Sequence, residues 1–248
     1  MAILTQYPSA SLILFALVFV VLEGVLPHRP VDRRREWPLD LLAVAAGVVF
    51  VVVAYGGLRH LIPVLDALAP STVLRALRTL PSAAKVVLVV LLVDFTIYWL
   101  HRFMHRWPVG WRMHRWHHTI EQMYWFAGFR ASFLHVLLYG VPQVFVPTLV
   151  FDLDAVEVAV ATAIANFVQV WTHSNIQPRL GPLQWWIVTP DYHRLHHRTG
   201  AETVRNFGNL LTVWDRLFRT HESPPLNAEL PCGLGEPRPG LPRMLLGL

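Results

Sequence analysis

An all-α integral-membrane bundle of about four to five transmembrane helices, with a cytosolic histidine-rich helical cap, is the fold that this sequence predicts. Three observations predict it. Of the 248 residues 54% are hydrophobic and 15% charged, whereas an ordinary soluble domain carries about 25% charged residues. The apolar residues fall into runs close to the ~20 residues needed to cross a bilayer. Eight of the thirteen histidines stand in three short clusters, a density that random placement in an oily chain does not produce.

Taken in order, residues 10–26, ASLILFALVFVVLEGVL, are apolar apart from Ser11 and Glu23 and read as the first spanning helix. No Lys or Arg precedes the run and no small-residue cleavage pattern follows it, so a cleaved signal peptide is not expected. Arg29, Arg33, Arg34 and Arg35 then mark the cytosolic side, because basic residues in short loops resist translocation. Residues 39–58 return across the membrane. From Arg59 to Arg78, leucines alternate with Arg75, Arg78 and two prolines, which fits an interfacial or re-entrant helix. Residues 84–100 cross again and deliver His101 to the cytosolic side. The runs 133–150 and 155–171 form a hairpin around FDLDAVE, bringing the chain back before His173. The expected organisation is therefore an N-terminal transmembrane region over 1–90, a catalytic region over 91–222, and a loose Pro/Gly-rich tail over 223–248. Trp99, Trp107, Trp111, Trp116 and Trp125 lie near the cytosolic boundary and suit an interfacial aromatic belt.

The net charge of +5 does not point to nucleic acid, since the arginines flank apolar runs and histidines instead of forming a basic tail. The single cysteine, Cys232, excludes an intramolecular disulfide and an iron–sulfur cluster.

The clusters are HRFMH at 101–105, HRWHH at 114–118 and HRLHH at 193–197. On a helix, positions i, i+3 and i+4 share a face about 5–6 Å apart, so each cluster offers two or three imidazoles pointing one way. Neutral imidazole suits iron, zinc, copper and nickel. Eight histidines exceed one tetrahedral ion, and with His173 and His135 they suffice for a dinuclear site whose metals each keep an open position. His28, His60 and His221 stand alone and read as packed or surface residues. Crowded, unligated imidazoles beside Arg102, Arg115 and Arg194 would repel on protonation and be costly near a bilayer. Two other classes remain open: a membrane transporter or haem-binding electron carrier, and a membrane zinc hydrolase. Haem needs only one or two axial histidines, and a transporter would place its ligands at mid-membrane instead of at helix ends.

From about Asp94 to Thr220 the chain resembles the fatty acid hydroxylase superfamily, also called the sterol desaturase family. DFTIYWLHRFMH is similar to the helix entering the family's first histidine box, WRMHRWHH to its second, WTHSNI to its intermediate histidine and TPDYHRLHH to its third. NFGNLLTVWDRLFRT is similar to its closing segment. The resemblance implies an oxidoreductase of the membrane: a non-haem di-iron monooxygenase that uses two iron ions (Fe2+/Fe3+) and O2 to hydroxylate or desaturate a lipid such as a sterol or fatty acyl chain. It implies His101, His105, His114, His117, His118, His193, His196 and His197 as catalytic ligands, with His173 joining them. His135 either completes the set or caps the next helix. Where some relatives place a further histidine, this chain has Gln177. It also implies a site at the cytosolic face, and a bacterial inner membrane if the source is prokaryotic. With no GxGxxG fingerprint, cysteine set or haem module, electrons must come from a separate ferredoxin, cytochrome or flavin reductase.

Beyond the ligands, Asp94 lies seven residues before His101 and Asp191 two before His193. Either suits an acceptor for the second ring N–H of a ligand imidazole, and Asp191 also suits a helix N-cap. Asn175, Asn206 and Asn209 suit the positioning of water or an imidazole, although turn chemistry explains the last two equally well. Arg194 and Arg198 are expected to face lipid headgroups, and Glu121 to be solvated.

Overall fold

The computed structural model describes residues 8–68, 71–200, 204–223 and 231–248. The described residues are helical with no extended strand. Helix α1 is Pro8–Val25, α2 is Arg33–Leu68, α3 is Thr72–Arg78, α4 is Ser82–Arg106, α5 is Pro108–His114, α6 is Phe133–Phe145, α7 is Ala155–His173, α8 is Pro190–His196, α9 is Val213–Leu217 and α10 is Leu241–Leu246. Among the described residues four stretches are long and apolar enough to cross a membrane: Arg33–Val53, Ser82–Arg106, Phe133–Val150 and Ala155–His173, with a shorter apolar helix over Ala10–Val25. The chain is a multi-pass membrane protein.

Leu, Val and Ala fill these helices, and their apolar surface faces outward because lipid imposes no cost on it. Ile13, Leu17, Val49, Val52 and Val53 are more than half exposed. Polar groups set the ends. Asp154 caps α7 through Val156 N–H and Glu157 N–H, and the Glu157 carboxylate accepts the Asp154 N–H in return. Glu157 also pairs with Lys85 at 2.7 Å, tying the start of α7 to the start of α4. At Pro147 the missing N–H loosens the end of α6 into a wide turn over Val146–Val150, closed by Phe151 N–H donating to Val146 O at 3.3 Å.

The apolar runs emerge as helices close to their expected places, with one merger. The interfacial helix expected after Arg59 does not begin there: α2 continues unbroken through Pro63 to Leu68, and α3 is a separate helix of about two turns. Loss of one hydrogen bond at Pro63 is tolerated where the rest of the ladder is intact. The Arg59 side chain lies outside the described residues.

Alternation of direction gathers one end of every long helix. The C-terminus of α1, the N-terminus of α2, the C-terminus of α4, the N-terminus of α6 and the C-terminus of α7 meet there. Buried Glu23 of α1 stitches this end: its carboxylate accepts Trp125 N–H at 2.7 Å and Asn175 N–H at 2.8 Å and pairs with Arg33 at 2.8 Å. The basic segment around Arg33 thus sits at the same end as the histidines. The chain's end is held, contrary to the loose tail expected. Arg238 pairs with Glu36 at 2.8 Å, Cys232 and Met244 are buried, and Thr199 N–H donates to Pro231 O at 2.8 Å. Residues 224–230 of that tail lie outside the described residues. Of the tryptophans expected in an interfacial belt, Trp99 and Trp107 are exposed, whereas Trp116 is 1% exposed and belongs to the core.

Candidate metal centre

Short elements project the histidines into the space where the helices converge. His101 and His105 end α4, His114 ends α5, His117 and His118 lie in a 3-10 turn, His173 ends α7, and His193, His196 and His197 belong to α8 and its cap. The nine form two groups: His101, His105, His114, His118 and His196, and His117, His173, His193 and His197. Within each group one nitrogen per residue lies within 4.8 Å of all the others. Rings from the two groups touch, His118 stacking on His197 with centroids 4.4 Å apart.

The second and third clusters do not act as units, which corrects the single-face reading. α5 ends at His114 and the chain tightens into a 3-10 turn, so i, i+3, i+4 geometry does not carry through. His117 joins the second group while His114 and His118 join the first. In the third cluster, His193 and His197 face the second group and His196 the first.

Outer partners fix the rings, and they are backbone carbonyls. His101 Nδ1–H donates to Phe207 O at 2.9 Å, His117 Nδ1–H to Arg130 O at 3.0 Å, His196 Nδ1–H to Arg205 O at 2.8 Å and His173 Nδ1–H to Gln169 O at 3.2 Å. A carbonyl only accepts, so these four rings carry their proton on Nδ1 and present a bare Nε2 inward. The inward atoms crowd: His101 Nε2 lies 3.0 Å from His114 Nε2, His118 Nε2 3.1 Å from His196 Nε2, and His173 Nε2 3.1 Å from His117 Nε2 and 3.0 Å from His193 Nε2.

The His117–His173 contact tests whether a metal fits. Both rings have spent their proton on a carbonyl, so two lone pairs face each other and no hydrogen bond joins them. Two imidazole nitrogens bound to one ion at ~2.1 Å stand about 3.0–3.4 Å apart, the spacing found here. His105 Nε2, His193 Nδ1 and His197 Nδ1 are buried without a hydrogen-bond partner among the described residues. Burial, reinforced for most by neighbouring imidazoles, pushes His114, His117, His118, His193, His196 and His197 well below the usual histidine range. They are neutral near pH 7, the state that a metal needs. The donor set fits two transition-metal ions.

Several expected helpers act elsewhere. Asp94 reaches no imidazole; it accepts Leu210 N–H, Leu211 N–H and Trp214 Nε1–H at 2.8, 3.1 and 2.8 Å. Asp191 is neither an acceptor for a ligand ring nor the cap of α8. Thr189 caps that helix, and Asp191 lies 3.5 Å from His28 and 3.8 Å from Arg194. Asn175 Nδ2–H donates to Arg29 O at 2.7 Å, so it anchors the α1–α2 connection. Arg194 is buried instead of facing headgroups, and Arg198 pairs with Glu222 at 2.7 Å. Glu121 pairs with Arg35 and Arg238, and Gln177 is exposed. His135 falls in neither group. Its Nδ1 lies 3.2 Å from His114 Nδ1 while Ser132 caps its helix.

Two residues not singled out in the sequence organise the centre, Asp215 within the closing segment NFGNLLTVWDRLFRT and Arg130 outside the histidine clusters. Asp215 accepts Phe207 N–H at 2.8 Å and Gly208 N–H at 2.7 Å, and with Asp94 it holds the loop 206–211 whose Phe207 carbonyl orients His101. Buried Arg130 supplies the carbonyl for His117 and pairs with Glu36 and Asp40, both at 2.6 Å. An aspartate before an arginine, or an arginine in a loop, is too ordinary a pattern to flag. Gly128 is required by close approach: a Cβ there would lie 2.6 Å from the His173 ring. Gly128→Ala is expected to lower the affinity of the second group for a divalent metal by ~10-fold or more. Metal titration of the purified variant checks this.

A cavity of about 650 Å³ opens from His101, His114, His117, His173 and His193 along apolar faces of α1, α2 and α6.

A model of the fatty acid hydroxylase family matches residues 86–220. Human alkylglycerol monooxygenase is 31% identical over 150 residues, covering 58% of this chain and 32% of that protein. Ornithine lipid hydroxylase OlsE of Rhizobium tropici is 30% identical over 155 residues, covering 62% and 46%. Methylsterol monooxygenase 1-3 of Arabidopsis thaliana is 27% identical over 146 residues, covering 55% and 47%. The chain spans less than half the length of these relatives, and no solved structure matches it.

Proposed function

The chain belongs to the fatty acid hydroxylase family, and from that premise we propose that it is a membrane-bound di-iron oxygenase that hydroxylates or desaturates a C–H bond of a lipid. The observation that carries this reading is the 3.1 Å approach of His117 Nε2 to His173 Nε2, a spacing that two nitrogens bound to one metal ion would have. Residues 91–222 form the catalytic region. His101, His105, His114, His118 and His196 hold one iron, and His117, His173, His193 and His197 the other. Iron bound there supplies the redox chemistry that activates O2 toward an unactivated C–H bond.

The chain's own residues do the rest. The carbonyls of Phe207, Arg130, Arg205 and Gln169 lock four imidazoles in one tautomer and one orientation. Apolar side chains of α1, α2 and α6 exclude water from the lipid chain beside the histidines. Hydroxylation consumes two electrons and two protons beyond those of the substrate, supplied by a separate ferredoxin, cytochrome or flavin reductase. The histidine end faces the cytosol beside the arginines at 33–35, and the membrane is the inner one if the source is a bacterium.

Lipid profiling of cells with and without the gene, together with metal analysis of the purified protein, tests this. The expected result is about two irons per chain and an O2-dependent product shifted by one oxygen or by two hydrogens. Zinc in place of iron with activity that persists without O2, or a Soret band, would overturn it.

A further inference from the structure

A second cavity, of about 250 Å³, lies between α4, α6 and α7, toward the helix ends remote from the histidines. Five residues line both this cavity and the larger one: Tyr139, Gln143, Asn166, Gln169 and Asn209. All five are polar, although most of the other lining of the second cavity is apolar. The two chambers therefore meet at a hydrogen-bonding junction inside the membrane-spanning bundle.

Two members of the junction are engaged within the protein. Gln169 Nε2–H donates to Gly128 O at 2.6 Å and Asn166 Nδ2–H to Ser11 Oγ at 2.9 Å. Tyr139, Gln143 and Asn209 make no side-chain hydrogen bond among the described residues. Polar groups at membrane depth are costly unless satisfied, so three together on a cavity wall call for a ligand that satisfies them. Among the described residues, neither cavity is lined by a Lys or Arg side chain. No Lys, Arg, Asp or Glu lines the larger cavity, and the one acidic group at the smaller, Asp94, is held by three N–H donors. At the junction itself no Lys or Arg stands beside Tyr139, Gln143 and Asn209 to pair with an anion.

We propose that Tyr139, Gln143 and Asn209 bind an uncharged oxygen function of a long-chain lipid, so that the junction selects a neutral lipid, an alcohol, ether, ester or amide, over a free fatty acid. Tyr139 lies one turn beyond His135, about 6 Å along α6, and Gln143 two turns beyond it, about 12 Å. The oxygen function is held at that depth, with alkyl chain extending into both chambers and one stretch of it lying against the histidines. This assignment rests on the lipid-oxygenase reading only for which carbon reacts; the binding preference stands independently of turnover.

The test uses the purified full chain in lipid nanodiscs, with tritiated 1-hexadecanol, hexadecanoate and hexadecane partitioned between protein-containing and empty discs at neutral pH. The expected result is hexadecanol retained over hexadecanoate by about tenfold or more, as at sites built to pair a substrate hydroxyl. Tyr139→Phe combined with Gln143→Leu should weaken hexadecanol binding about fivefold or more, the loss of one or two hydrogen bonds, while hexadecane binding is unchanged. Unchanged hexadecane binding also shows that the variant is folded. Equal retention of hexadecanoate, no retention of hexadecanol, or full selectivity in the double variant would overturn the proposal. A protein that selects hexadecanol but lacks iron or O2-dependent turnover keeps the junction and loses the oxygenase reading, so the two failures are distinguishable.

Discussion

His117→Ala is expected to abolish product formation and to strip the metal from the group it shares with His173, His193 and His197. The reasons are geometric. His117 is 5% exposed, and its Nε2 lies 3.1 Å from that of His173. Its ring also packs on His114 of the other group with centroids 5.0 Å apart. Removing it deletes one of four nitrogens and the wall between the two metal positions. Outer-shell changes around such ligands cost about 10–100-fold, so loss of a ligand should exceed ~100-fold in product formation. Metal content per chain by plasma mass spectrometry, beside the lipid profile, checks it. A His117→Ala protein that keeps its full metal content and product would remove His117 from the site.

Arg130→Met is expected to destabilise the whole fold, and by more than loss of a surface arginine would. The guanidinium is fully buried, donating to Asp40 and Glu36 at 2.6 Å each and to Thr119 O at 3.1 Å. The Tyr124 hydroxyl donates to the same Asp40 carboxylate. Without Arg130, Glu36 and Asp40 remain as two buried carboxylates, each 0% exposed, with their main cation gone. Breaking a buried pair in this way costs about 3–5 kcal/mol. Arg238→Ala serves as the contrast: that arginine is part-exposed on the rim of the same network, where an ion pair contributes about 1 kcal/mol or less. Adding Glu36→Gln and Asp40→Asn to Arg130→Met should recover part of the loss, because the repulsion disappears with the charges. Thermal unfolding in detergent and limited proteolysis measure the order. If Arg130→Met unfolds no earlier than Arg238→Ala, the network does not hold the fold. Its metal content should fall as well, since the Arg130 carbonyl orients His117.

How far the sequence reaches differs between helices and site. The apolar runs at 84–100, 133–150 and 155–171 are legible because a spanning helix is a length and a composition, both local quantities, and they emerge as parts of α4, α6 and α7 with shifted ends. The break expected after Arg59 fails because Pro63 removes one hydrogen bond without preventing α2 from continuing to Leu68 on its remaining ones. The nine histidines of the two groups are legible by type and spacing, but their division is not. His117 and His118 are neighbours in the chain and belong to different groups, because the backbone leaves the α-helix between His114 and His117. The acceptors of the ring protons escape as well. Asp94 and Asp191 are the natural candidates by side-chain chemistry, yet the carbonyls of Phe207, Arg130, Arg205 and Gln169 fill the role, and every residue carries a carbonyl.

By itself the sequence determined that this chain is an all-helical membrane protein with enough histidine for two metals, and which family it belongs to, because hydropathy and ligand type are written residue by residue. Only the tertiary structure decided which nitrogens converge, that buried Asp215 and Arg130 steady them at one remove, and that two cavities meet at Tyr139, Gln143 and Asn209. Those features arise where segments as distant as α4 and the 206–211 loop pack together. No local pattern encodes the position at which two such surfaces meet.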